Sequence, residues 1–252
     1  MNRTTPWLQI KPVAGNLRMR LFCLPHAGGG ATAYRSWTAG LPEFVQICPV
    51  QLPGRETRLS EPLCTRFDLL VDSIDRELRS WVDLPFAIFG HSMGALLAFE
   101  WVHRLRRAGA PMPVWLFLSG RRAPDAQGDD AGLLHSLSDR EFVKELTRLY
   151  DGIPQEFHEN ESLKEVFLPI LRADIAVVES YRFQQDEPLD CPITVFAGIN
   201  DASVSWDELM AWKHHTRRRF AMQVLPGGHF YPHGPLLQTI SATLTDEWSQ
   251  HS

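Results

Sequence analysis

Residues 85–94 have the sequence PFAIFGHSMG, in which a short apolar run leads into Gly90-x-Ser92-x-Gly94. The run predicts a buried strand, and the apolar spacing of residues 95–107 predicts a helix directly after it. The Gly-x-Ser-x-Gly pattern is weak alone, but a serine between strand and helix needs a strained backbone, with glycines removing bulk on both sides. Ser92 is therefore the candidate nucleophile, at a helix N-terminus that favours developing negative charge.

Short apolar strands and amphipathic helices alternate on both sides of this stretch. Strands are predicted at residues 18–24, 44–50, 85–89, 114–118, 193–197 and 221–225, and flanking helices at 67–82, 95–107 and 236–248. This alternation is typical of a mainly parallel sheet that helices cover on both faces. The predicted fold class is α/β.

The alternation stops between residues 121 and 190, where no strand is predicted. Ser138 and Glu141 have the spacing of a capping box, which predicts a helix that ends near Tyr150. A second helical pattern covers residues 163–181, despite Pro169. We expect a core of residues 1–120 and 191–252 and a helical insertion of residues 121–190 that forms a lid over an active site. The alternative is a helical decoration of the sheet.

A serine nucleophile needs a base, and in α/β-hydrolase folds the chain order is serine, acid, histidine. Asp201 follows the fifth predicted strand and His229 follows the sixth, so both are expected at the same edge of the sheet as Ser92. We assign His229 as general base and Asp201 as the carboxylate that orients it. Other candidates for the base are His26, His91, His214, His215 and His233, and for the acid Asp174, Asp207 and Glu208. Of these, His214 and His215 are expected on a solvated helix face.

An oxyanion hole needs two backbone N–H donors. Met93 follows the nucleophile and is expected to supply one. The glycine-rich loop at residues 26–30 is expected to supply the other, from Ala27. The alternative, a phosphate cradle, is disfavoured because the loop lacks the G-x-x-x-x-G-K-[ST] pattern.

Composition excludes several classes of protein. The chain has 252 residues, 44% hydrophobic and 22% charged, with a formal net charge of −5. This charge does not favour nucleic-acid binding, and no apolar run reaches the roughly 20 residues of a membrane span. Residues 1–16 contain no apolar block typical of a signal peptide, so a cytoplasmic protein is expected. The four cysteines are interpreted as buried free thiols, with no metal site.

Several segments together resemble one family. They are LPHAGG at 24–29, QLPGRE at 51–56, the 90–94 turn, LRAD at 171–174, GIND at 198–201 and GHF at 228–230. They resemble the type II thioesterases of polyketide and nonribosomal peptide synthases, and the resemblance spans nearly the whole chain. It implies an α/β-hydrolase fold and an editing enzyme that removes acyl groups from the phosphopantetheine arm of carrier proteins. It also implies an acyl-Ser92 intermediate and no metal or redox cofactor.

Carrier proteins are typically acidic, so the resemblance implies a basic docking surface. The candidate runs are residues 104–107, 121–122 and 217–219, although charged runs are more often solvated faces. A monomer is expected. Three readings stay open from the residues alone: a thioesterase, another serine hydrolase such as an esterase, lipase or peptidase, and a non-catalytic binding protein on the same fold.

Overall fold

The computed structural model describes residues 4–11, 17–126, 133–150, 157 and 159–251. Its centre is a sheet of six strands, β1 (Met19–Leu24), β2 (Val45–Pro49), β3 (Phe86–His91), β4 (Trp115–Ser119), β5 (Ile193–Gly198) and β6 (Phe220–Leu225). Their order is β2-β1-β3-β4-β5-β6, and every neighbouring pair is parallel. The predicted parallel α/β architecture is confirmed.

The strand order reverses between β1 and β3. The chain passes from β1 to β2 on one side and returns to β3 on the other, with Leu24 paired to Gly90. The loop after β1 and the turn after β3 therefore lie side by side at the carboxyl edge. Ligands of open parallel sheets bind at such a switch point.

The helices are α1 (Phe67–Leu78), α2 (Met93–Arg107), α3 (Asp139–Leu149), α4 (Glu161–Ser180), α5 (Trp206–Met210) and α6 (His233–His251). On one sheet face, α1 and α2 bury apolar side chains such as Ile74 and Trp101. On the other face, α6 buries Leu236, Ile240 and Leu244. Strands β1 to β5 are buried along their whole length, since helices cover both faces.

The described part of the insertion consists mainly of α3 and α4. Ser138 caps α3 in a complete capping box with Glu141, as the spacing predicts. Phe142 of α3 packs against Ile175 of α4 in a small apolar cluster of its own. Residues 127–132, 151–156 and 158 of the predicted insertion lie outside the described residues.

Predicted and observed elements differ mainly at their ends. The helix predicted at 67–82 ends at Leu78 and continues as a 3₁₀ turn, and the last helix begins earlier than predicted, at His233. One expectation about burial is wrong: Cys64 is partly exposed, although Cys23, Cys48 and Cys191 are buried. Among the described helices, none combines the length and apolarity needed to cross a bilayer.

Candidate active site

Ser92 occupies a strained turn between β3 and α2. Its φ is 53° and its ψ is −114°, a conformation that non-glycine residues rarely adopt. A Cβ on Gly90 would lie 2.1 Å from the Gly94 carbonyl oxygen, and one on Gly94 would lie 2.2 Å from that of Leu24. The turn thus requires both glycines, as the sequence predicts. The Ser92 N–H donates to the Ser119 carbonyl (2.8 Å), which fixes the turn to β4.

Asp201 and His229 meet at the ends of β5 and β6. The distance from His229 Nδ1 to Asp201 Oδ2 is 2.9 Å, and both side chains are almost completely buried. The Asn200 N–H donates to the Gly227 carbonyl (2.9 Å) and joins the two loops. A Cβ on Gly198 would lie 1.9 Å from the Gly228 carbonyl oxygen, so only glycine permits this close approach.

Ser203 belongs to the same group and was missed in the sequence analysis. Its hydroxyl donates to Asp201 Oδ1 (2.6 Å), as does its N–H (3.0 Å), and its oxygen lies 3.1 Å from His229 Nδ1. Burial alone would raise the pKa of Asp201, but the bonds and charge of His229 and the bonds from Ser203 outweigh it and lower that pKa. The available sequence signal was a serine two residues after an aspartate, a spacing typical of local turns.

Ser92 and His229 line one cavity of about 470 Å³. In the described part of the chain, no hydrogen bond joins the Ser92 hydroxyl to the His229 ring. Bonds between nucleophile and base are often loose in the absence of substrate and tighten when the substrate binds. The cavity therefore brings together Ser92 and His229, the predicted nucleophile and base, and Asp201 contacts the Nδ1 atom of the His229 ring.

Of the two predicted oxyanion donors, Ala27 lines the cavity, and Met93 directly follows Ser92, which also lines it. Met93 is the first residue of α2, where a backbone N–H has no partner within the helix. Ala27 lines the cavity in the loop after β1. Among the described residues, its N–H donates no backbone hydrogen bond, whereas that of Gly29 closes the turn onto the His26 carbonyl (2.9 Å). Within the described ranges of the chain, neither N–H has a backbone hydrogen-bond partner, so both are available to donate to a ligand oxygen beside Ser92.

Of the other histidines, His91 packs beside His229, and His26 packs beside His91. The ring of His91 lies 5.0 Å from that of His229, and the ring of His26 lies 5.7 Å from that of His91. Burial, followed by the charges of His229 and Arg55, lowers the pKa of His26 to about 4. Burial and the same histidine charge lower the pKa of His91 well below its usual value. Both rings therefore remain neutral near pH 7.

The remaining candidates for base and acid have other partners or lie outside the site. His233 Nδ1 lies 3.2 Å from Trp37 Nε1 at the start of α6. His215 is buried against Asp125 (2.9 Å), so its predicted exposure is wrong, while its neighbour His214 is exposed. Asp207 and Glu208 lie in α5, as predicted. Asp174 pairs with Arg55.

Helices of the insertion form the apolar wall of the cavity, which we call the chamber. Leu146 comes from α3, and Leu163, Phe167, Leu171, Ile175 and Val178 come from α4. Tyr150, Phe157 and Phe230 extend the same apolar lining. A largely apolar chamber that Ser92 also lines fits a hydrocarbon chain attached to the reacting group.

The three basic runs are largely engaged with nearby carboxylates. Arg106 and Arg107 share Asp186 at 2.7 and 2.8 Å, and Arg104 pairs with Asp72 at 3.0 Å. The other pairs are Arg122 with Glu208, Arg217 with Glu187 and Arg218 with Asp190. These runs therefore present much less positive charge than their sequences indicate.

A family model and known proteins match most of this chain. The model of the thioesterase domain family matches residues 19–244. The gramicidin S biosynthesis protein GrsT of Aneurinibacillus migulanus is 39% identical over 234 residues, which are 92% of this chain and 90% of that protein.

Two solved structures are also similar. The type II thioesterase BorB from the borrelidin biosynthetic cluster has a TM-score of 0.85 at 36% identity and covers 98% of this chain and 99% of its own. The RedJ thioesterase from the prodiginine pathway of Streptomyces coelicolor has a TM-score of 0.82 at 37% identity, covering 94% and 95%. The resemblance to type II thioesterases is confirmed. By its family match, its sheet and its relatives, this chain belongs to the thioesterase family and is a thioester hydrolase of the α/β-hydrolase fold.

Proposed function

We propose that this chain hydrolyses acyl thioesters on the phosphopantetheine arm of carrier proteins in polyketide or nonribosomal peptide synthesis. It would thereby release misprimed or stalled acyl units. The observation that supports the proposal best is the chamber, a largely apolar cavity of about 470 Å³ that both Ser92 and His229 line. The names of the similar proteins, which refer to gramicidin S, borrelidin and prodiginine biosynthesis, support the choice of pathway.

The first half-reaction transfers the acyl group to Ser92. Its Oγ attacks the thioester carbonyl carbon while His229 takes the hydroxyl proton, and Asp201 stabilises the resulting imidazolium. The Ala27 and Met93 amides donate to the oxyanion. Collapse of the intermediate breaks the C–S bond, and His229 gives the proton to the departing sulfur. The products are acyl-Ser92 and the free thiol of the carrier arm.

The second half-reaction consumes water. His229 removes a proton from a water molecule, whose oxygen attacks the acyl-Ser92 ester, and the same amides hold the second oxyanion. Breakage of the ester bond returns a proton to Ser92 Oγ and releases the carboxylic acid. The sum is thioester plus water giving acid plus thiol.

The insertion is proposed to act as a lid on the core of residues 1–120 and 191–252. Support comes from α3 and α4, which supply most of the apolar side chains that line the chamber. The same proposal includes a cytoplasmic location, because four free cysteines are typical of a protein from a reducing compartment. It also includes a monomeric state. Its partner is the acyl or peptidyl carrier protein, and it binds neither nucleic acid nor a membrane.

The test compares an acyl-carrier-protein thioester with a matched oxygen ester and a peptide. We expect the highest kcat/KM for the thioester and almost complete loss of turnover in Ser92→Ala with carrier binding retained, because only the attacking oxygen is removed. Ser249→Ala, at an exposed serine of α6, is the matched control and should behave as wild type. Turnover by Ser92→Ala above a tenth of wild type, or an oxygen ester preferred by orders of magnitude, would contradict the proposal.

A further inference from the structure

A buried ion pair connects the insertion to the core beside the chamber. Arg55 Nη1 lies 2.6 Å from Asp174 Oδ2, and Arg55 Nη2 lies 2.7 Å from Asp174 Oδ1. The two side chains are only 5% and 1% exposed. Arg55 follows β2 and Asp174 lies in α4, so the pair joins segments 119 residues apart. Its two parallel bonds fix both the distance and the orientation of the groups.

Both members of the pair also bind the backbone of the loop after β1. The Gly28 N–H donates to Asp174 Oδ2 (2.7 Å), and Arg55 Nη1 donates to the Gly29 carbonyl (3.1 Å). These contacts hold two consecutive residues of the loop from outside the chamber. The residue before them is Ala27, whose amide is free to meet an oxygen in the chamber.

The same loop has a shape that only glycine permits, and α4 contacts it there. Gly28 has a φ of +78°, and a Cβ on it would lie 2.5 Å from Leu171 Cδ2. Leu171 and Asp174 are three residues apart, so they lie on one face of α4. The helix therefore contacts the loop twice, through the apolar side chain of Leu171 and, one turn later, through the hydrogen bond that Asp174 accepts from the Gly28 N–H.

Stability alone does not explain such a pair. Desolvation of two charges costs several kcal/mol per ion, and well-packed apolar residues in place of a buried pair are often neutral or stabilising. What the charged pair supplies, and apolar packing would not, is directed hydrogen bonds to a particular amide and a particular carbonyl. Those two groups belong to the two residues that directly follow the proposed oxyanion donor, Ala27.

We propose that Arg55 and Asp174 are positioning residues that hold the Ala27 amide where the oxyanion forms, and that α4 of the insertion sets this geometry through them. The inference rests on the acyl-serine function proposed above. It assigns to the insertion a part in the chemistry as well as in acyl binding. Neither side chain touches the substrate, and both act through the loop of residues 27–29.

The test uses two conservative variants of the full chain. Asp174→Asn keeps an oxygen that can accept from the Gly28 N–H but removes the charge, and Arg55→Lys keeps the charge but removes the paired bonds. Removal of one oxyanion donor costs roughly 100- to 1000-fold in kcat. For a misplaced donor we expect a fall in kcat of about 10- to 100-fold, with KM changed less than threefold.

Two further measurements separate positioning from a general structural role. Phosphonylation of Ser92 by a fluorophosphonate also needs the oxyanion hole, so its rate should fall in parallel with kcat. Binding of a non-hydrolysable amide analogue of the acyl-pantetheine thioester, followed by calorimetry, should be unchanged. The matched control is Asp68→Asn, which breaks the exposed Arg66–Asp68 pair and should change none of these values.

The outcomes are distinct for the two proposals. Values of kcat and phosphonylation within threefold of wild type in both folded variants would overturn the positioning role, as would an equal loss of analogue binding. If one variant does not fold, the other decides. Failure of the proposed function is seen instead in the wild type, as no labelling of Ser92 or no thioester turnover, and the positioning role is then overturned with it.

Discussion

Asp201 accepts three hydrogen bonds from two residues, and this explains how a buried carboxylate stays charged beside His229. Two bonds come from Ser203 and one involves His229 Nδ1. The low pKa of Asp201 results from these bonds prevailing over burial. The Asp201 carboxylate therefore stays ionised near neutral pH.

We expect Asp201→Asn to lower kcat by about 100- to 10,000-fold, because an amide group can present a donor to His229 Nδ1 and favour the wrong tautomer. Steady-state turnover of an acyl-carrier-protein thioester measures the effect, and KM should change little. Asp207→Asn is the control, since Asp207 is exposed in α5 and has no part in the proposed mechanism. Loss of activity in the control but not in Asp201→Asn would reverse the assignment of the acid.

At the scale of elements, α4 contacts both the chamber and the loop of residues 27–29, so under the proposed function it connects acyl binding to the oxyanion hole. One face of this helix lines the chamber with Leu171, Ile175 and Val178. The same helix carries Asp174, which binds the Gly28 amide. A shift of α4 would therefore change both the space in the chamber and the position of the loop of residues 27–29.

Filling the chamber from α4 should shorten the preferred acyl chain. Val178 is partly exposed and lines the chamber, so Val178→Phe takes up space there with little strain in the core. We expect kcat/KM for a long acyl chain to fall by about tenfold or more while that for an acetyl or propionyl chain stays near wild type. A series of acyl-pantetheine thioesters of increasing length measures this.

The matched control is Val143→Phe, the same change at a partly exposed valine of α3 that lies outside the chamber lining. It should leave the chain-length profile unchanged. A profile that is the same in wild type and Val178→Phe would mean that the acyl chain does not occupy the chamber.

At the scale of the whole molecule, the basic runs are paired with nearby carboxylates, and the edge of the sheet near His229 contains two neutral histidines, buried His91 and half-buried His26. Arginines of the basic runs pair with carboxylates from other segments. His91 packs against His229 and His26 packs against His91, and the lowered pKa of each keeps it uncharged near pH 7. Protonation of these rings in the folded state would place positive charge in a poorly solvated site. Acid conditions therefore lower the free energy of unfolding.

The stability of the fold should accordingly decline in mild acid. The folded state binds a proton at His26 only near pH 4, whereas the unfolded chain binds it near pH 6.5. Between these values the unfolded state carries more protons, so the free energy of unfolding falls as the pH falls. In His26→Gln this slope should be shallower by up to about 1.4 kcal/mol per pH unit. Urea unfolding at a series of pH values measures it, and an identical slope in both proteins would contradict the lowered pKa.

Patterns within short stretches determined the elements and the reactive turn. The apolar runs predicted all six strands, and the glycines around Ser92 indicated where the backbone must be tight. Such signals are local, because strand burial and strained turns depend on the residues next to each other in the chain.

Contacts between distant segments were decided only by the tertiary structure. The sequence did not reveal that Arg55 meets Asp174, that Ser203 supports Asp201, that His215 is buried against Asp125, or that the basic runs are paired. A charged side chain has the same local pattern whether it faces water or a partner. Its environment depends on which loops and helices the order of the strands brings together, and a single sequence holds no local record of that order.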